Sequence, residues 1–445
     1  EFIGKPLSRV PDPSGRYESY AARHEHEFEE SLLELGIGLE FRYQTKMYES
    51  GVYREGIIAA VRARKTIYDI LTDYRTQGGS EEEREKYFPI TIYCEGCMKD
   101  TTDITAVDAS EMVFSYSCSS CGHQGRVDLN HSTNVKLPWK IDWAMRWRYE
   151  GVDFEPGGKD HATAGGSYEV SSRIAREVFE FEPPLFQPYE FVGLRGLTGK
   201  MSGSSGQLLT PRDVLRIYQP EVLLWVFART PPTRAFDLVV DDQIHRIYEE
   251  FDKNLPGSKL PDDQRAMNLA CAQGRQIHPV PFRQLTSFAG IVQGNHKALE
   301  LIFARMGTSL EQKLFEERLQ KAENWLEFYA PEERTVLRSE RDDDYFRALA
   351  PHEKDWVNEL YQWLKTSKFG VEEATEKVYA IPKKSEMSEK ELASAQRRFF
   401  QIVYNLLFGK DKGPRLGTFL VAVPREQYLD LLNFTDSVAE PVRAE

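Results

Sequence analysis

Two thiol motifs, Cys94-x-x-Cys97 and Cys118-x-x-Cys121, constrain this chain most strongly and take up four of its five cysteines. Each follows a short run of strand-forming residues, Ile90-Thr91-Ile92-Tyr93 before the first and Val113-Phe114-Ser115-Tyr116 before the second. The pattern predicts two hairpin knuckles presenting four sulfurs to one ion, at a spacing usual for a tetrahedral four-thiolate zinc site. A unit this small buries too little apolar surface to fold firmly alone, and bound zinc supplies roughly 10 kcal/mol of folding free energy. Four thiolates close the coordination sphere, so the expected role is structural; a catalytic zinc keeps a position open for water. His123 is the local rival ligand.

At 445 residues and 41% hydrophobic content the chain has room for roughly two to four packed domains. No apolar run approaches the length of a membrane span and no signal-peptide pattern opens the sequence, so a cytoplasmic protein without membrane contact is expected, with a monomer favoured. The opening Glu1-Phe2-Ile3-Gly4, with no starting Met and an early turn at Pro11-Asp12-Pro13-Ser14-Gly15, reads as the start of a fragment.

Phe28, Leu32, Leu33 and Leu35 predict a helix from Tyr20 to Leu35, closed by Gly36 and Gly38. Leu39-Glu40-Phe41-Arg42-Tyr43 alternates as a half-buried strand does, and Ile57, Ile58, Val61, Ile67, Ile70 and Leu71 mark a second long helix. Helix, strand and helix fit part of an α/β layer. From Gly78 to Lys86 the composition shifts to Gly, Ser and Glu and opens the thiol-bearing segment. Beyond it come Trp139, Trp143 and Trp147, any one of which suits a core as well as a ligand wall. Gly157-Gly158 then leads into Lys159-Asp160-His161. Residues without side chains leave the backbone open beside a carboxylate and an imidazole, which suits a ligand bearing hydroxyl or ammonium groups.

Gly165-Gly166-Ser167 opens a helix through Ile174, Val178 and Phe179, and Tyr189-Glu190-Phe191-Val192-Gly193-Leu194 reads as a strand. The strand delivers the chain to Lys200-Met201-Ser202-Gly203-Ser204-Ser205-Gly206, after which Thr210-Pro211-Arg212-Asp213 forms a helix N-terminus. A small-residue loop opened by a lysine and held between ordered elements can bring backbone N–H groups, hydroxyls and an ammonium onto a polyphosphate. From about Ser258 the pattern is helical, with core stripes such as Trp356, Leu360, Trp363 and Leu364 and a Ser388-to-Glu391 capping box. Arg397 and Arg398, with Lys410, Lys412 and Arg415 in the turn that follows, form the best basic patch there. The net charge of −13 excludes a generally basic nucleic-acid coat but not such a local patch.

This constellation resembles a class I aminoacyl-tRNA synthetase, and most closely the class I lysyl-tRNA synthetases. The resemblance rests on Pro11-Asp12-Pro13 with Glu18-Ser19-Tyr20, the cysteine pairs, Met145-Arg146-Trp147 and Gly151-Val152-Asp153-Phe154-Glu155-Pro156. It continues through Gly158-Lys159-Asp160-His161, Tyr189 to Gly193, Lys200 to Ser204 and Gly409 to Arg415. It implies an α/β Rossmann-type catalytic domain, partial in this chain, over 1–77 and 141–206, with a zinc-ribbon insertion over 78–140. A stem-contact region (207–258) and an all-α anticodon-binding domain (259–445) follow. The implied activity is that of a lysine–tRNA ligase. Lysine's carboxylate attacks the α-phosphate of ATP in the presence of Mg2+, and the lysyl group of the adenylate passes to the 3′-terminal adenosine of lysine tRNA.

On the same resemblance Lys200 is the catalytic cation, binding ATP with Met201, Ser202, Gly203, Gly158 and Asp160. His161, Trp139, Tyr189 and Glu190 bind lysine, with Glu190 or Asp160 facing its ammonium, and Arg397, Arg398, Lys410, Lys412 and Arg415 bind tRNA. The four cysteines hold a structural Zn2+. Two departures bear on the activity. The family's His-x-Gly-His type sequence is absent, so the chain as it stands is expected to be catalytically incomplete, and Ser205 stands where the family commonly has lysine. The alternative is a tRNA-binding protein without ligation.

Overall fold

The computed structural model describes residues 1–435 apart from 76–77, 196–208, 259, 278–279, 293, 309–311 and 385–386. These group into one unit made mainly by Glu1–Gly193 and a second made mainly by Asp213–Arg229 and residues 239–435.

In the first unit the Ser19 hydroxyl accepts the Ala22 N–H at 3.1 Å and opens the helix Tyr20–Glu34. The apolar spacing that predicts one helix from Ile57 to Leu71 belongs to two, Arg54–Arg62 and Arg64–Asp73, because the backbone at Ala63 leaves the helical region (φ −89°, ψ 16°). Both keep their stripes buried, with Ala60, Ile67 and Ile70 in one core. The expected strand at Leu39–Tyr43 does not form. Leu39 is 59% exposed, and the polar side chains have local partners, the Tyr43 hydroxyl donating to Glu29 and Arg42 pairing with Glu40. No described strand lies beside the segment to complete a ladder, and alternation without one makes no strand.

Thr91–Ile92 (β1) pairs antiparallel with Val135–Lys136 (β5). Between them Thr102–Asp108 (β2), Val113–Cys118 (β3) and Gln124–Asp128 (β4) form an antiparallel sheet in that order. The central strand β3 carries the core, with Phe114, Tyr116 and Cys118 buried. Tyr116 also explains Gly125, since a Cβ there would stand 2.4 Å from the phenol oxygen.

The tryptophan segment is a helix, Trp139–Glu150, buried through Ile141, Trp143, Ala144, Met145 and Trp147 and closed by Gly151 at φ 65°, a left-handed position that favours glycine. It leads to Phe154–Gly158 (β6), which pairs in parallel with Leu185–Tyr189 (β7). The helix Ser167–Phe179 connects the two, making a βαβ unit. Tyr189 therefore closes β7, and the strand expected to start there begins later, at Val192–Arg195.

The second unit is helical, and its helices start before Ser258, with Pro220–Ala228 and Ile244–Asn254. Arg318 is its polar centre. Its side chain, 0% exposed, donates to Gln219 Oε1 (2.6 Å), both oxygens of Asp252 (2.9 Å each) and the Val280 carbonyl (2.8 Å), over the Tyr248 ring. The predicted capping box is present at Ser388 and Glu391, opening the helix Glu389–Phe408.

His245 is buried between Phe282 and Trp325, and burial, together with the charge of Arg283, pushes its imidazole from 6.5 down to about 4. The unfolded chain takes up this proton near pH 6.5 and the folded chain does not. Its contribution to stability is thus full above pH 6.5 and is lost as the pH falls towards 4, by up to about 3 kcal/mol. Urea midpoints across that window should show the loss, and a His245→Phe chain should lack that part of the slope.

Candidate functional site

The thiols converge as the sequence predicts. The Sγ atoms of Cys94, Cys97, Cys118 and Cys121 all lie within 4.8 Å of one another. Cys94 and Cys121, and Cys97 and Cys118, are 3.6 Å apart, well beyond the ~2 Å of a disulfide and near the ~3.8 Å edge of a tetrahedron of zinc–sulfur bonds. The Gly96 N–H donates to Cys94 Sγ at 3.3 Å, and the Thr101 hydroxyl, with backbone N–H groups of Cys121 and Ser120, holds the Cys118 thiol down to about 6. Four convergent soft donors fit zinc. His123 stays outside the cluster, its ring packed over Gly96 and beside Tyr116.

The second candidate site lies at the carboxyl ends of β6 and β7, where ligands of parallel α/β sheets bind. Register sets Gly158 opposite Tyr189, so Lys159-Asp160-His161 and Tyr189-Glu190 leave the sheet side by side. A Cβ on Gly157 would stand 2.5 Å from the Phe186 ring, so glycine lets the strand pack there as it does, and one on Gly158 would stand 2.6 Å from Asp160 Oδ1, which would have to turn aside. Trp139 and Trp143 stack at 5.0 Å, and His161 stands 6.2 Å from the first ring and 5.6 Å from the second. Arg146 lies 5.5 Å from the Trp139 ring and pairs with the buried Asp142 at 3.0 Å. Asp142 also accepts the Tyr48 hydroxyl, whose pKa burial and the neighbouring carboxylate push far up.

The structure thus brings Trp139, Gly158, Asp160, His161, Tyr189 and Glu190 to one end of the βαβ unit. Glu190 is joined to Lys159 at 2.7 Å, whereas Asp160 pairs with no cation among the described residues. Lys200, Met201, Ser202 and Gly203 lie outside the described residues. In the second unit Arg398 pairs with the largely buried Glu353 at 2.7 Å, and Lys410 donates to the Glu332 and Arg334 carbonyls. Both therefore brace the fold locally. Lys412 and Arg415 are exposed on the rim of a cleft of about 1090 Å³, and Arg397 is exposed on its helix. Glu155, which the sequence offers as part of a motif but with no role, accepts the indole N–H of Trp143 (3.3 Å) and of Trp147 (3.1 Å) on its carboxylate. The signal available was an acid on the strand after a helix with tryptophans four residues apart.

The first unit thus holds a parallel βαβ unit and a four-thiol antiparallel sheet, and the second unit is helical. The family model described as tRNA synthetases class I (K) matches residues 1–270, and the chain belongs to that family. Its fold is the class I tRNA synthetase fold with a helical C-terminal region. The lysine–tRNA ligase of Streptomyces coelicolor is 35% identical to it, across 97% of this chain and 83% of that protein. The lysine–tRNA ligases of Treponema pallidum and Pyrococcus horikoshii are each 33% identical, covering 97% and 96% of this chain and 82% of each relative. A crystal structure of a glutamate tRNA ligase from Elizabethkingia meningosepticum overlaps at a TM-score of 0.38 and 11% identity, over 96% of this chain and 91% of that one, too slight a likeness to bear on the fold.

Proposed function

We propose that the chain is a lysine–tRNA ligase, activating lysine with ATP, supplied as its Mg2+ complex, and passing the lysyl group to lysine tRNA. The observation that carries this reading is the 35% identity to a lysine–tRNA ligase over 97% of the chain. The ligand edge is where the reaction would sit, in a Rossmann-type catalytic domain represented here by the β6–β7 unit.

Trp139, 46% exposed, and the exposed Tyr189 are the walls for lysine's aliphatic stem, with His161 beside them. The ε-ammonium needs a carboxylate, because a buried unpaired charge is costly. Glu190 is already engaged by Lys159, which leaves Asp160 for that task. Gly158 keeps the turn open for the nucleotide. Lys200, with the Met201 to Gly203 backbone, would neutralise the charge that grows on the phosphates as the carboxylate attacks. No covalent enzyme intermediate is needed, so the protein's contribution is positioning and charge stabilisation. The four cysteines would hold a structural zinc that takes no part in these steps, in a zinc-ribbon insertion over 78–140. Of the five cations of that patch, Lys412, Arg415 and Arg397 pair with no acid among the described residues and are the ones to meet tRNA phosphates, with Arg398 and Lys410 shaping the surface that presents them.

Lys200→Ala should slow adenylate formation about 10²- to 10³-fold while leaving tRNA affinity nearly unchanged. Single-turnover formation of lysyl-adenylate and a filter-binding curve with lysine tRNA check this, and a fall in tRNA binding instead would remove the phosphate role from that loop.

A further inference from the structure

Trp139, Trp143 and Trp147 form a ladder along one helix, with ring centroids 5.0 and 4.8 Å apart, running from the buried Trp147 through Trp143 to the half-exposed Trp139. Dispersion holds such rings together but leaves their tilt weakly defined. A buried indole N–H, by contrast, must find an acceptor, and this fixes the plane of the ring. In the two inner rings that acceptor is one carboxylate. Glu155 takes the Trp143 N–H on Oε1 at 3.3 Å and the Trp147 N–H on Oε2 at 3.1 Å. Trp143 in turn stacks on Trp139 at an interplanar angle of 21° and meets His161 edge-on at 65°. Its tilt therefore sets both groups assigned to lysine. Glu155 stands on β6, the strand that ends at Gly158, so the same short segment carries the clamp and the ligand edge.

We infer that Glu155 is a positioning residue for lysine: by holding both indole N–H groups it fixes the ladder and, through Trp143, the Trp139 and His161 surfaces that receive the substrate. This rests on the reading of that edge as the lysine site. A carboxylate suits the task because it only accepts. Glutamine at 155 keeps the shape but has one accepting oxygen, and turns an amide N–H towards the second indole N–H.

The test uses the full chain. L-lysine is titrated and followed by tryptophan fluorescence, and the near-ultraviolet circular dichroism couplet of the stacked indoles is recorded, with far-ultraviolet dichroism and zinc content as fold controls. Glu155→Gln should raise the lysine Kd roughly tenfold and weaken the couplet while the fold controls hold. Adding Trp147→Phe removes the N–H that the amide would oppose, so the double variant should regain most of the lysine affinity. It also supplies the measurement should the single variant fold poorly. Two results would overturn the inference: Glu155→Gln binding lysine as the unaltered chain does, with the same couplet, or a double variant no tighter than the single one. If the unaltered chain does not prefer lysine to other amino acids, the lysine site itself is wrong, a failure distinguishable because the couplet still reports on the clamp.

Discussion

Replacing Cys94 by serine should abolish zinc binding at the thiol cluster and unfold the sheet β2–β3–β4 together with both knuckles. Cys94 and Cys118 are themselves core residues, packed with Ile92, Phe114, Tyr116, Val127 and Val135, so the thiol cluster and the apolar cluster share one site. That cluster is small, and the zinc contribution it lacks on its own is on the order of 10 kcal/mol. The same core includes Val61 of the helix Arg54–Arg62, so loosening should reach that helix too. Limited proteolysis beside a metal assay checks this: the unaltered chain should carry about one zinc and resist cleavage between residues 94 and 128, and the serine variant should do neither. A serine variant as compact as its parent would mean that the thiols are dispensable to the fold.

The second large effect belongs to the helical unit. Arg318→Ala should cost about 3–5 kcal/mol, because it leaves the buried Gln219 and the largely buried Asp252 without their partner. Burial already pushes the Asp252 carboxyl above its ordinary range despite the guanidinium beside it, so desolvation outweighs attraction there even in the intact pair. Lysine at 318 should fail nearly as badly, since one ammonium cannot replace a planar fork reaching three partners at once. Paired replacement, Arg318→Met with Asp252→Leu, should recover much of the loss by exchanging a buried ion pair for apolar contact. Urea unfolding of the three variants decides it, and an Arg318→Ala chain within 1 kcal/mol of its parent, roughly the cost of one ordinary hydrogen bond, would contradict the account.

What could be read from the sequence follows the range of the interactions. The thiol cluster was legible because its motifs are local and its chemistry admits few alternatives, and the Ser388–Glu391 box because a cap is made within one turn. Gly158 to His161 and Tyr189-Glu190 could be named from the sequence as candidates, though their meeting at one sheet end depends on a parallel pairing that brings distant segments into register. Leu39–Tyr43 misled because a strand is a property of a pair, and alternation says nothing of the partner. Arg398 and Lys410 looked like free cations because their partners, Glu353 and the carbonyls of Glu332 and Arg334, are far away in sequence. The Lys159–Glu190 pair and the Glu155 clamp were hidden in the same way, each joining a β6 segment to another element.

The central claim is activation of lysine by this chain. Its most direct test is ATP–pyrophosphate exchange, run on the chain as it stands and on one extended at its N terminus by a segment carrying the His-x-Gly-His sequence. The account predicts exchange that depends on lysine, and not on glutamate or arginine, at least in the extended form, with lysine tRNA bound by both. Binding of tRNA by both chains with lysine-dependent exchange in neither would contradict it.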